Sequence, residues 1–343
     1  MPPSRALPCP HHAICGLCTE MPRAEDEQLA GRVARVTRSL GRPPDQVVPA
    51  PRAVGYRARV RFGVDAQGKL CYHQPRSSAL TAIPACALAR PEIDAVIAAM
   101  PPLPPGLEAV ELRSDGARVV WVGTPARRSN PQLVDQVRDL DLARLGLAGV
   151  VLGGTTLSGD GRVQLCAGGV RHLVSPSVFY QVNLELNEVL VQTIAEVVLA
   201  LRPATVLDLY AGYGNLSLPL AAQGVPVVLW ESNTAALADA RRTIARDGLP
   251  ATTHAGDAAR FRAGNAFFDV AVLDPPAAGA PGVVAALSAT RPRALVVVSC
   301  FHANLSRDLR PALEAGYRVT RAVVLDFFPQ TPLAETLVVL TRP

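Results

Sequence analysis

From about residue 203 the chain alternates short apolar runs with stretches of helical periodicity. TVLDL, VPVVLW, ATTH, FDVAVLD and ALVVVSC read as strands, with helical segments from Leu216, over 234–246, near Val283 and over 305–313. Such alternation predicts βαβ units and a parallel sheet covered on both faces. Upstream, residues 183–201 carry apolar side chains at helical spacing and stop before Arg202-Pro203, which predicts one more helix. The chain closes with YRVTRAVVLDFF and TLVVLTR around PQTPLAE, a terminal hairpin on that sheet.

The first half has a different rhythm. YRARVRFGVD (56–65) alternates with period two, and AVELRS-DG-ARVVWVG (109–123) reads as two strands joined at Asp115-Gly116. Residues 149–170 suggest another hairpin, turning at Gly159-Asp160-Gly161. Residues 29–40 and 93–100 are candidate helices. The expected organisation is a small, β-rich, antiparallel domain over 1–172 and an α/β domain over 173–343.

At 343 residues and 49% hydrophobic content, the chain can bury the core of two domains. Its longest apolar stretches, such as 189–201, fall short of a membrane span and are broken by Gln192, Thr193 and Glu196. MPPSRALPCPHH lacks the apolar centre of a secretory signal, so a cytoplasmic protein is expected, with no membrane partner. In that compartment seven cysteines point to metal binding or catalysis before disulfides. A net charge of +5 admits a polyanionic partner without requiring one. Arg57, Arg59 and Arg61 would share one strand face, suited to phosphate contacts or simply to solvent.

Three constellations carry chemistry. DLYAGYGN (208–215) places two glycines between a strand and a helix, where backbone amides approach a ligand closely. Glu231 ends the next strand, 23 residues after Asp208, where a carboxylate accepts hydrogen bonds from both hydroxyls of a ribose. The third glycine of a dinucleotide fingerprint is missing, which favours S-adenosyl-L-methionine over NAD. Asp257 follows the third strand; it meets an adenine there or caps a helix. Asp274 ends its own strand as LDPP. Cys300 ends the run ALVVVSC just before a helix, where the dipole is expected to lower a thiol pKa. Glu335 lies in a proline-bearing loop entering the last strand, where burial would raise its pKa toward the range of a general base. Finally, Cys9, Cys15, Cys18 and the distant Cys86 make four thiols, a set that suits either tetrahedral zinc or a 4Fe–4S cluster. Cys71 and Cys166 lack a partner pattern and read as structural.

These motifs in order, FYQVN (179–183), DLYAGYGN, DPP, VSC with Arg307-Asp308, and FPQT followed by Glu335, resemble the TrmA/RumA-type RNA 5-methyluridine methyltransferases. The resemblance implies a class I, Rossmann-like methyltransferase fold with a smaller N-terminal iron–sulfur domain. It implies contacts to S-adenosyl-L-methionine or its pocket from Gln181, Tyr210, Asn215, Glu231, Asp257 and Asp274, with Asp274 alternatively touching the uracil. Cys300 would add to carbon 6 of the base, and Glu335 would remove the proton from carbon 5. The cysteine spacing is that of the cluster-bearing members, which favours 4Fe–4S over zinc. No oligonucleotide-binding barrel precedes the cysteines, as in the short 23S rRNA enzymes, so 23S rRNA is the expected partner of a monomer. Two departures stand out: Ala277 replaces the arginine that usually follows DPP, and SCFH replaces SCNP. Other readings are tRNA uracil-5 methylation, another methyltransferase, or a non-catalytic cluster-bearing RNA-binding protein.

Overall fold

Strand residues of the second half point alternately into two apolar layers, and this alternation builds the larger sheet. The computed structural model describes residues 9–75, 77–127, 132–262, 267–280 and 282–342. The sheet has eight strands in the order Gln46–Val48, Arg318–Leu325, Glu335–Thr341, Ala294–Ser299, Val270–Leu273, Val206–Leu209, Val227–Glu231 and Ala251–Ala255. Val206, Val270, Val272, Val296 and Val298 face the helix Leu184–Ala200 through Leu186, Leu190 and Ile194. Leu207, Leu209, Leu273, Leu295 and Val297 face the opposite layer, with Val283 and Leu287 of helix Val283–Thr290 and Leu305 and Leu309 of helix His302–Glu314. A period of two along each strand thus clothes both faces with helices.

The central strands are parallel, while Glu335–Thr341 runs antiparallel to both neighbours. From Val206–Leu209 the chain runs outward on one side through Val227–Glu231, then returns to Val270–Leu273 on the other side. The carboxyl ends of Val206–Leu209 and Val270–Leu273 therefore flank a topological switch point, where open α/β sheets bind ligands.

The smaller assembly is a seven-stranded sheet covered by helices Pro91–Ala99, Leu133–Arg138 and Leu142–Leu145, with Ile93, Leu133, Val137 and Leu145 in its core. It is antiparallel except where Val119–Pro125 pairs parallel with Leu147–Leu152. The expected hairpin turn at 159–161 is corrected. The turns lie at Gly153-Gly154 and Gly168-Gly169, all four with positive φ, as two-residue hairpin turns require. Residues 159–161 instead lead from the seven-stranded sheet into a separate pair, Val163–Ala167 with Val170–Val174.

One segment of the first half belongs with the larger sheet. The first helix, Glu25–Leu40, packs on His302–Glu314, and Gln46–Val48 pairs parallel with Val323–Leu325. Among the described residues no helix is long and apolar enough to cross a membrane.

Candidate active site

At the switch point the strand Val206–Leu209 turns through Tyr210 (φ 62°), Gly212 (φ 56°) and Gly214 (φ 87°) before the helix Leu218–Ala222. Gly214 has no alternative: a Cβ there would sit 2.5 Å from Leu218 Cγ. Glu231, at the end of the adjacent strand, accepts from Gly212 N at 2.9 Å and from Asn233 N at 2.7 Å. The carboxylate is therefore fixed against the glycine turn, where the motif spacing put it.

The other expected pocket residues divide. Gln181 donates from Nε2 to Asp274 Oδ2 at 3.1 Å, joining FYQVN to DPP. Asn215 is turned inward: it exchanges two hydrogen bonds with Asn187, at 3.0 and 2.8 Å, and accepts a third from the Tyr213 hydroxyl. Asp257 is exposed and caps a single 3-10 turn, accepting from Ala259 N at 2.9 Å. It lies near enough to Tyr210 for its charge to reinforce the burial that raises the Tyr210 pKa.

Cys300 follows the strand Ala294–Ser299, half-buried, two residues before the helix His302–Glu314. Its surroundings reverse the expected sign of its pKa. Burial first, then the charges of Glu335 and Asp274, push the thiol up to about 12. A lowered pKa from the helix terminus is thus corrected: desolvation and two carboxylates outweigh one helix end. Glu335 is 2% exposed, and its Oε1 has no hydrogen-bond partner among the described residues. Burial, with Asp274 beside it, raises its pKa well above the carboxylate range. Asp274 is likewise raised by burial, with the Gln181 amide opposing the shift. A thiol and two carboxyl groups of raised pKa therefore meet at the ends of three neighbouring strands, 270–273, 294–299 and 335–341.

The departures from the family pattern have visible surroundings. The loop after Asp274 is held by the last helix: Asn304 Nδ2 donates to Ala277 O at 2.6 Å, Arg307 Nη2 to Ala278 O at 2.8 Å, and Ala280 N to Asp308 Oδ2 at 2.8 Å. His302 faces Arg35 and Arg38, whose charges add to burial in lowering its pKa, so its imidazolium is disfavoured beside Cys300. Asp208, which opens DLYAGYGN, also lies at this carboxyl edge. It is 1% exposed, and burial pushes its pKa up to about 8, with the Ser217 hydroxyl opposing the shift.

The arginine stripe is not one surface. Arg57 turns toward the cysteines, Arg59 stacks 4.4 Å over the exposed ring of Phe179, and Arg61 is exposed.

Cys9, Cys15, Cys18 and Cys86 line one cavity of about 390 Å³, with His11 and Tyr72. Burial, then the Cys86, Cys15 and Cys9 thiols, push Cys18 up to about 12. Four thiols on one cavity are the donor type that thiolate-ligated clusters use. Among the described residues no group of three or more His, Cys, Asp and Glu forms a site that could hold a metal ion as it stands. Thr331, Pro332 and Leu333, from the loop leading to Glu335, complete the cavity wall. Cys71 is buried, with its thiol 3.4 Å from Asp65 Oδ2, and Cys166 is exposed.

Residues 172–290 match the family model described as "Methyltransferase small domain". The chain is 32% identical to the 23S rRNA (uracil(1939)-C(5))-methyltransferase RlmD of Klebsiella pneumoniae, over 99% of this chain and 82% of that protein. It is 29% identical to the protein of the same name from Salmonella typhi, over 99% and 83%. The crystal structure of Pyrococcus abyssi tRNA (uracil-54, C5)-methyltransferase with S-adenosyl-L-homocysteine superposes with a TM-score of 0.78, over 94% of this chain and 85% of that one. At 22% identity, that likeness is one of fold.

Proposed function

Because the chain belongs to the RlmD-type family of 23S rRNA uracil-C5-methyltransferases, we propose that it methylates carbon 5 of a uridine in 23S rRNA. The observation that carries the proposal is the grouping of Cys300, Glu335 and Asp274 at neighbouring strand ends beside the switch point, close enough for the carboxylates to act on the thiol. S-adenosyl-L-methionine supplies the electrophilic methyl group. The turn at 210–215 and Glu231 would receive its nucleoside, and Gln181 and Asp274 would border its reactive end.

In this reading the Cys300 thiol loses its proton to water as sulfur bonds to carbon 6 of the uracil, and the C5–C6 electron pair moves onto carbon 5 and the O4 enolate. That electron pair at carbon 5 takes the methyl group, and the S–methyl bond of the donor breaks to leave S-adenosyl-L-homocysteine. Glu335 then accepts the proton from carbon 5, the C5–C6 double bond reforms, and the thiolate departs. A carboxylate buried without a partner on Oε1 is suited to this step, because desolvation strengthens it as a base. Asp274, held by Gln181, would orient the base or the cofactor. Cys9, Cys15, Cys18 and Cys86 would hold a 4Fe–4S cluster; their place on one cavity supports this. The substrate places the work in the cytoplasm.

Release of tritium from 23S rRNA transcripts carrying 5-tritiated uridine tests the reading. Release dependent on S-adenosyl-L-methionine, and 5-methyluridine at a single mapped position, are expected. Methylation with full retention of tritium would contradict it.

A further inference from the structure

Glu335 opens its strand opposite Leu325, and the loop 326–334 that delivers it has no ladder of its own. The first helix holds that loop instead. Arg32, 1% exposed, pairs with Asp326 at 2.8 Å and donates to Thr331 O at 2.8 Å. One turn earlier, Gln28 accepts from Gln330 N at 2.9 Å and donates to Gln330 Oε1 at 2.9 Å. Gln330 sits at φ 70°, a conformation that a non-glycine residue keeps only when its surroundings impose it. Arg32 also pairs with Glu20 at 3.2 Å, so its charge is balanced by two buried carboxylates. Residues about 300 positions apart in sequence thus meet in a buried polar network that holds the loop leading to Glu335.

From this network we propose that Gln28 and Arg32 are positioning residues for Glu335: the first helix sets the loop, and the loop sets the carboxylate for proton removal. The proposal rests on the reading of Glu335 as the base. A purely structural network would affect every step alike. A positioning network affects the step that uses Glu335, because a displacement of about 1 Å at a reacting group can cost ~100-fold.

The test is a single-turnover assay with methyl-labelled S-adenosyl-L-methionine and 23S rRNA transcript. It separates label in a denaturation-stable protein–RNA complex from label in free RNA, per active site titrated with 5-fluorouridine RNA. Arg32→Gln and Gln28→Ala should form the methylated complex at near wild-type rates and release it about 10- to 100-fold more slowly. Arg32→Gln leaves the buried Asp326 carboxylate without its cation, while Glu20 keeps Arg35, and can prevent folding; Gln28→Ala introduces no such charge and decides the matter alone in that case. Release at the wild-type rate, or an equal fall in complex formation and release, overturns the proposal. Glu335→Gln run in parallel separates the two readings. If it accumulates the complex and the helix variants do not, only the positioning role fails. If it does not accumulate it, the base assignment fails and takes this proposal with it.

Discussion

Gln181 Nε2 lies 3.1 Å from Asp274 Oδ2 and ties FYQVN to DPP across the mouth of the switch point. The amide stabilises the ionised carboxylate against the burial that raises its pKa. Gln181→Leu removes that donor, so the pKa of Asp274 should rise further. If turnover needs the ionised carboxylate, the acid limb of kcat/KM against pH should move to higher pH, by about one unit for one lost hydrogen bond. A pH profile of the variant measures it; an unmoved acid limb would separate Asp274 from the chemistry.

The Cys300 thiol, pushed up to about 12, is protonated at neutral pH in the free protein. Alkylation of Cys300 by iodoacetamide should therefore rise with pH well beyond the range of an ordinary cysteine. Asp274→Asn deletes one of the charges that raise it, so the alkylation midpoint should fall. A mass-spectrometric pH series at Cys300 reads both values. A midpoint near neutrality in the wild type would restore the helix-terminus expectation.

His172 is 1% exposed, has no hydrogen-bond partner on either ring nitrogen among the described residues, and packs edge-on against Tyr213 at 5.0 Å. Burial lowers its pKa to about 4. The unfolded chain binds this proton below about 6.5 and the folded protein only near 4, so stability is complete above 6.5 and is lost as pH falls toward 4. His172→Phe should abolish that part of the acid sensitivity, on the order of 3 kcal/mol between pH 7 and pH 4. Chemical denaturation of both proteins at the two pH values checks it, and equal acid losses would contradict it.

Protein purified without oxygen should be brown, with broad visible absorption that fades in air, if the four-cysteine cavity carries the cluster. Cys18→Ser or Cys86→Ser should remove the colour, whereas Cys71→Ser or Cys166→Ser should leave it. Colourless protein with one zinc per chain would overturn the cluster assignment.

Much of the fold was legible because period-two and period-3.6 patterns are local. The parallel strands, the terminal hairpin and the 183–201 helix were all expected from the chain, and the helix lies at Leu184–Ala200 with Asn183 as its cap. The mistaken turn at 159–161 shows the limit: DG-type punctuation competes with Gly-Gly pairs, and only the sheet register decides which closes a hairpin. Pairing of Gln46–Val48 with Val323–Leu325 has no local signature at all. Near the site, the motifs singled out Cys300, Glu335, Asp274 and Glu231 as candidates, and each lies at a strand end on the sheet's carboxyl edge or beside it. They did not reveal that Asn215 would be occupied by Asn187, or that two carboxylates would face Cys300, because both depend on residues brought together only by folding.

The central claim, a covalent cysteine–uracil route with Glu335 as the final base, is tested most directly by Glu335→Gln. Addition of Cys300 and methyl transfer need no base at carbon 5, so both should proceed. The amide keeps the shape of the carboxylate but accepts a proton poorly, and loss of general-base catalysis costs about 100- to 10,000-fold. The variant should accumulate a protein–RNA complex on a denaturing gel that carries the methyl label and vanishes when Cys300→Ala is added to it. Release of methylated RNA at the wild-type rate, with no labelled complex, would contradict the account.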